Sequence, residues 1–164
     1  MGRLVQLPPG PIGLVGDTHS RGGLPSWLRD ALAGVVAVLH AGDVLTPEVL
    51  EDLSGVAPVF VVRGNNDAHP WPLERTLLWQ GRTIRLLHGH LGAATAREAA
   101  RAGAKDAEIV VYGHSHRSEN TSEGGVLFVN PGSPTQPRGG LRQAAVLVMG
   151  EQGPHVRFFG PGPA

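Results

Sequence analysis

Apolar residues in this chain gather in short continuous runs, and several runs stop at a glycine followed by polar residues. They are IGLVGDTHS (12–20), VVAVLHAGD (35–43), VFVVRGNND (59–67), IRLLHGH (84–90), IVVYGHSH (109–116) and VLFVNPGS (126–133). Runs this short, rich in β-branched residues and bounded by glycine, predict buried strands. Between the first three runs, LPSWLRDALAG (24–34) and TPEVLEDLSG (46–55) place apolar residues at helical spacing. Gly34 closes the first helix, while Thr46 as N-cap, Pro47 at N1 and Gly55 at the end frame the second. These are β-α-β-α-β units.

After residue 70 the pattern changes. RTLLWQGRTIRLLHG (75–89) predicts a hairpin turning near Gln80-Gly81, and GAATAREAARAGAK (92–105) predicts an alanine-rich helix. AAVLVMG (144–150) and VRFFG (156–160) read as a final antiparallel pair. The expected fold is therefore α/β with mixed sheets, in a single domain over 1–164. NPGSPTQPRGG (130–140) is a loop inside that domain, and the last residues, GPGPA, are expected to fray.

Composition narrows the chemistry. Lys plus Arg and Asp plus Glu both number 14, Lys105 is the only lysine, and no basic tract marks a nucleic-acid surface. Cysteine is absent, which removes disulfides, thiolate nucleophiles and Cys-based zinc sites. No stretch approaches the length of a membrane span and the N-terminus has no apolar h-region, so a soluble cytoplasmic protein is expected.

In open α/β sheets, loops from several strands converge beyond the carboxyl ends of the strands. Those loops carry Asp17, His19, Asp43, Asn65, His88, His114 and His116. Two carboxylates, four imidazoles and an amide exceed one tetrahedral zinc site and suit two ions sharing a bridge. Mixed His/Asp/Asn ligation favours Mn, Fe, Zn, Ni or Co over Mg or Ca. Two divalent ions, two carboxylates and a bridging hydroxide leave about one positive charge, which attracts an anion. Hydrolysis of a phosphate ester by that hydroxide is the expected reaction, because paired ions clamp a phosphoryl group during in-line attack.

The order D-x-H, G-D, G-N-x-D, H-G-H, G-H-x-H resembles the calcineurin-like metallophosphoesterases, in particular their small single-domain YfcE-like branch, which includes the retromer subunit Vps29. The resemblance runs from about residue 12 to residue 138. It implies a four-layer α/β/β/α sandwich with two mixed β-sheets. It also implies that Asp17, His19 and His116 hold one metal, that Asn65, His88 and His114 hold the other, and that Asp43 bridges. Many members carry His after the ligating Asn; here that position is Asn66, which cannot serve as an acid but can hydrogen-bond an oxyanion. Diesters, or aryl esters with good leaving groups, are therefore the expected substrates, with two Mn ions as the expected metals. Protein phosphatases continue G-D with a D-R-G segment, whereas this chain reads GDVLTPE. The alternative is a non-catalytic metal-binding or interaction scaffold of the Vps29 type, which has no need of seven ligand side chains. A dinucleotide site at GPIGLVG lacks the G-x-G-x-x-G spacing. The partner is then a small phosphate ester, and homodimerisation stays open.

Several residues carry two readings at this level. His90 either touches substrate or supports the site, and His114 or His90 assists the leaving oxygen. His40 reads as a satisfied core histidine. His69 and His155 receive no role. Arg63 binds phosphate or pairs with a carboxylate, and Arg21 and Arg138 share that ambiguity. Asp67 orients a ligand or holds its loop. The NPGS turn reads as structural, with Asn130 capping it. Trp27, Trp71 and Trp79 read as packing residues.

Overall fold

A computed structural model describes residues 4–20 and 23–161. Arg21 and the end of the tail predicted to fray, residues 162–164, lie outside them. Among the described residues, eleven strands and three helices follow in the order β1 (Val5–Gln6), β2 (Ile12–Val15), α1 (Ser26–Ala31), β3 (Ala37–His40), α2 (Pro47–Ser54), β4 (Val59–Val61), β5 (Glu74–Trp79), β6 (Arg82–Leu87), α3 (Ala96–Gly103), β7 (Ile109–Val111), β8 (Glu119–Glu123), β9 (Val126–Asn130), β10 (Ala144–Gly150) and β11 (Gly153–Phe159). One sheet has the order β11-β10-β2-β3-β4 and the other β1-β5-β6-β7-β9-β8. Both are mixed: β2, β3 and β4 run parallel beside an antiparallel β10, and β6, β7 and β9 run parallel beside antiparallel β5 and β8.

Alternation along the strands sorts the side chains into three cores. Ile12, Leu14, Leu39 and Leu147 of the first sheet meet Leu77, Ile84, Leu86, Ile109 and Val111 of the second. Their strand neighbours point the other way: Val15, Val38 and Val146 pack under Leu28 of α1 and Val49 and Leu53 of α2. Val110 and Phe128 pack under Ala96 and Ala100 of α3. Helices, sheet, sheet and helix are thus four layers, as the family resemblance implies. Truncating Leu14 or Leu86 between the sheets would cost about 2–5 kcal/mol, since both are fully buried.

Two helices are shorter than their sequence periodicity predicts. Residues 24–25 stay outside α1, and the segment after Ala31 turns off at Gly34 with φ of 86°. In α3 the Thr95 hydroxyl accepts the Glu98 amide at 3.1 Å, so residues 92–94 precede the helix. Thr46 does take the N-cap backbone position of α2, but its hydroxyl donates to the Ser20 carbonyl and tethers the helix to the loop after β2. The β5–β6 hairpin turns at Gln80-Gly81 with positive φ at both residues. Strands β1 and β8 were not evident in the hydrophobic pattern. β8 reads ENTSE and lies mostly in solvent, so no alternation betrays it.

Candidate metal centre

Loops leaving β2, β3, β4, β6 and β7 carry all seven predicted ligands to one edge of the molecule. Asp17 and His19 follow β2, Asp43 follows β3, Asn65 follows β4, His88 directly follows β6, and His114 and His116 follow β7. Five of the seven adopt left-handed backbone: Asp17 (φ 50°), His19 (42°), Asp43 (56°), His114 (74°) and His116 (59°). Such conformations cost of order 1–3 kcal/mol each and persist where surrounding bonds over-determine them.

Those bonds are present. Asp67 accepts the amides of Asp43 (2.9 Å) and Gly64 (2.8 Å) on Oδ2 and of Leu45 (3.0 Å) on Oδ1. It therefore holds the loop. Gly64 lies so close to Asp43 that a Cβ there would sit 2.1 Å from Oδ1. In the NPGS turn, Asn130 Nδ2 donates to the Gly113 carbonyl (3.2 Å) and Ser115 Oγ (3.0 Å), while its Oδ1 accepts the Gly132 amide (2.9 Å). Ser133 Oγ donates to the Asp17 carbonyl at 2.8 Å. The turn is structural and clamps two ligand loops together.

The side chains predicted as ligands face one another. Asp43 Oδ2 lies 3.1 Å from His19 Nε2 and 3.4 Å from His88 Nε2. His88 Nε2 is also 2.9 Å from Asn65 Oδ1 and 3.8 Å from Asp17 Oδ1. His114 Nδ1 approaches Asn65 Oδ1 (3.1 Å) and His88 Nε2 (3.3 Å), and its amide donates to Asp17 Oδ2 at 3.0 Å. His116 Nε2 stands 3.7 Å from Asp17 Oδ1. Asp17, His19, Asp43 and His116 each offer an atom within 4.8 Å of the others.

Hydrogen-bond chemistry assigns the ring protons. His88 Nδ1 is 2.8 Å from the Ala41 carbonyl and His116 Nδ1 is 2.6 Å from that of Gln136; a carbonyl only accepts, so both Nδ1 atoms carry protons. Each Nε2 is thereby turned toward oxygens, which is how a ligating imidazole is usually oriented. His19 Nε2 is buried and close to Asp43, yet it is not aligned for a hydrogen bond and has no partner. Convergent lone pairs of N and O, without thiolate, fit a divalent cation.

Electrostatics points the same way. Burial raises the Asp17 carboxyl to about 7, and the Asp43 charge adds to this against the opposing His88 and the His114 amide. Burial alone would raise Asp43 too, but the His88 hydrogen bond and charge and two Asn66 donors hold it below the usual carboxylate range. His88 is penalised by burial, yet the facing Asp43 and Asp17 raise it. His114, His116 and His90 are all lowered, first by burial. Crowded, desolvated carboxylates are relieved by a cation.

The remaining predicted residues divide. Asn66 donates from its backbone to Asp43 Oδ1 and from Nδ2 to Oδ2, each at 2.9 Å, so both N–H groups meet that carboxylate. His90 sits beside the cluster, 5.2 Å from the His88 ring and 6.3 Å from the His114 ring, with a buried, unpartnered Nδ1. Arg63 lines the same hollow as Asn65 and His90. Arg138 donates its amide to the His116 carbonyl at 3.1 Å, while its side chain is exposed near the site. His40 is satisfied: Nδ1 accepts the Gly42 amide and Nε2 meets Thr18 Oγ1, both at 3.1 Å. His69 stacks on Trp71 away from the ligands, and Trp79 is fully buried with Nε1 donating to the Gly10 carbonyl. Gln136, which orients His116 through its carbonyl, had no sequence signal, because any residue supplies that group.

Comparison with known proteins gives the family. A model of the calcineurin-like phosphoesterase superfamily domain matches residues 11–153. The chain is 32% identical over 146 residues to a probable metallophosphoesterase of Methanothermobacter thermautotrophicus, covering 84% of each. It is 31% identical over 154 residues to the phosphodiesterase YfcE of Escherichia coli, covering 76% of this chain and 79% of that protein. A variant of Vps29 from Entamoeba histolytica superposes with a TM-score of 0.77 at 22% identity, over 92% of this chain and 98% of that one, a likeness of fold.

Proposed function

The chain belongs to the calcineurin-like phosphoesterase superfamily, and on that premise we propose that it hydrolyses phosphate diesters at a centre of two divalent transition-metal ions, with Mn preferred. One observation carries the reading: Asp43 Oδ2 stands between His19 Nε2 and His88 Nε2, at 3.1 and 3.4 Å, with further nitrogen and oxygen donors on either side. Asp17, His19 and His116 would hold one ion, Asn65, His88 and His114 the other, and Asp43 both. When bound, such ions lower the pKa of a coordinated water to near neutrality and offset charge on phosphoryl oxygens.

The chain's own groups then set the preference. Asn66 has no acidic proton and directs its donors at Asp43, so position 66 offers no acid for an alkoxide leaving group. His90, whose pKa burial lowers, is left to hydrogen-bond a substrate or leaving oxygen, a role His114 shares when not ligated. Arg63, which lines that hollow, supplies a cation for a phosphoryl oxygen. Esters that leave without strong acid assistance follow from this arrangement.

The test is turnover of bis-p-nitrophenyl phosphate against p-nitrophenyl phosphate by metal-stripped protein reconstituted with Mn²⁺, beside Asp43→Asn. Metal-dependent diester turnover that disappears in the variant is expected. Metal binding without turnover of either ester would favour the non-catalytic scaffold, and failure to bind metal would end the site assignment.

A further inference from the structure

Beside the candidate metal centre, and continuous with it through His88 and His90, lies a recess of about 550 Å³ walled by Leu73, Leu87, Leu91, Ala99 and Ala102. That volume falls within the range of small-molecule sites. Leu73 and Leu91 are two of four large apolar side chains that stand exposed among the described residues, at 39% and 56%. Both also line the neighbouring hollow that holds Arg63, Asn65 and His90. A cleft therefore runs from a cation and the ligand loop, past a histidine, into an apolar chamber.

The charge of the chamber restricts its occupant. Among the described residues no Lys or Arg lines it, and the one carboxylate that does, Glu74, is paired with Arg85. The other guanidinium nitrogens of Arg85 are committed to the Gly103 carbonyl (3.0 Å) and Thr76 Oγ1 (2.7 Å). A phosphorylated or carboxylated group would find no counter-charge there, whereas an uncharged ring would remove the leucines from water.

Resting on the phosphodiesterase reading, we propose that this recess receives one esterified arm of the substrate, so that the preferred substrate class is a diester carrying a bulky, apolar, uncharged alcohol. The phosphate lies at the His88 and His90 end, and the arm extends along Leu91 toward Ala102. Exposed apolar side chains at the mouth of a ligand-bearing cleft are explained by such a contact.

Calorimetric titration of Mn²⁺-loaded protein with diphenyl phosphate and dimethyl phosphate tests this, together with kcat/KM for phenyl and methyl p-nitrophenyl phosphate. Diphenyl phosphate is expected to bind about tenfold tighter or more, the order expected for burying one ring. The phenyl-over-methyl ratio should fall toward one in Ala102→Trp, which fills the chamber from an exposed helix position, and in Leu91→Ser at the mouth. Equal binding of the two diesters, or a ratio untouched by both variants, would overturn the assignment. So would a dimer that Leu91→Asp dissolves, since a second copy would then cover these leucines. Turnover of neither ester with the binding preference intact is instead the failure of the phosphodiesterase reading alone.

Discussion

His40 and His88 stand at the carboxyl ends of buried parallel strands, one in each sheet, and both are shielded from water. Their surroundings are opposite. Around His40 a backbone amide meets Nδ1 and a hydroxyl meets Nε2, so the neutral ring is complete and burial lowers its pKa to about 4. Around His88 one carbonyl takes Nδ1, while Nε2 faces an amide oxygen and two carboxylates, which raise its pKa against burial. Burial makes a histidine a core residue when both nitrogens are answered, and a candidate ligand when one faces oxygens that also lack a proton donor.

That contrast can be broken most severely at His88. His88→Leu should reduce metal affinity and turnover by more than the roughly 10–100-fold typical of losing an outer partner, with secondary structure retained by circular dichroism. Metal titration followed by calorimetry measures it. Asp67→Ala comes next: it removes the acceptor of three amides that hold Asp43, and should cost about 10–100-fold in metal affinity. Gly64→Ala should act in the same direction, because the added methyl would meet Asp43.

Smaller effects sharpen the contrast through stability. His40→Leu leaves the buried Gly42 amide without its acceptor, while the Thr18 hydroxyl keeps the Val44 carbonyl, and should cost about 1–3 kcal/mol in urea unfolding at pH 7. pH separates the two rings in metal-stripped protein. The folded pKa of His40 is depressed below its ordinary 6.5, so its contribution is full above 6.5 and is lost as pH falls toward 4, by up to about 3 kcal/mol. His88 is raised, so its contribution is present below its unfolded pKa and is lost as pH rises through its folded value. His40→Leu should therefore flatten the loss of stability between pH 6.5 and 4, and an unchanged acid slope would contradict this assignment.

Much of the frame was legible along the chain. The apolar runs before Asp17, Asp43, His88 and His114 are strands, and the Gln80-Gly81 turn joins a hairpin. β8 escaped because ENTSE carries no apolar face, although Gly124-Gly125, with positive φ at both, is the kind of two-residue turn that announces a hairpin. The roles of Asp67 and Asn66 were not legible, since both depend on Asp43, more than twenty residues away. The leucine recess was equally hidden: Leu73, Leu87 and Leu91 share a wall with Ala99 and Ala102 only once α3 is placed beside them.

The sequence alone determined which side-chain chemistries arrive at the carboxyl ends of the strands, because strand period and glycine punctuation are local properties of the backbone. Only the tertiary structure decided which of those groups meet and which nitrogen of each ring is free. Both depend on hydrogen bonds between residues distant in the chain, such as His88 to Ala41 and Ser133 to Asp17, which form only when the two sheets and their loops are packed together.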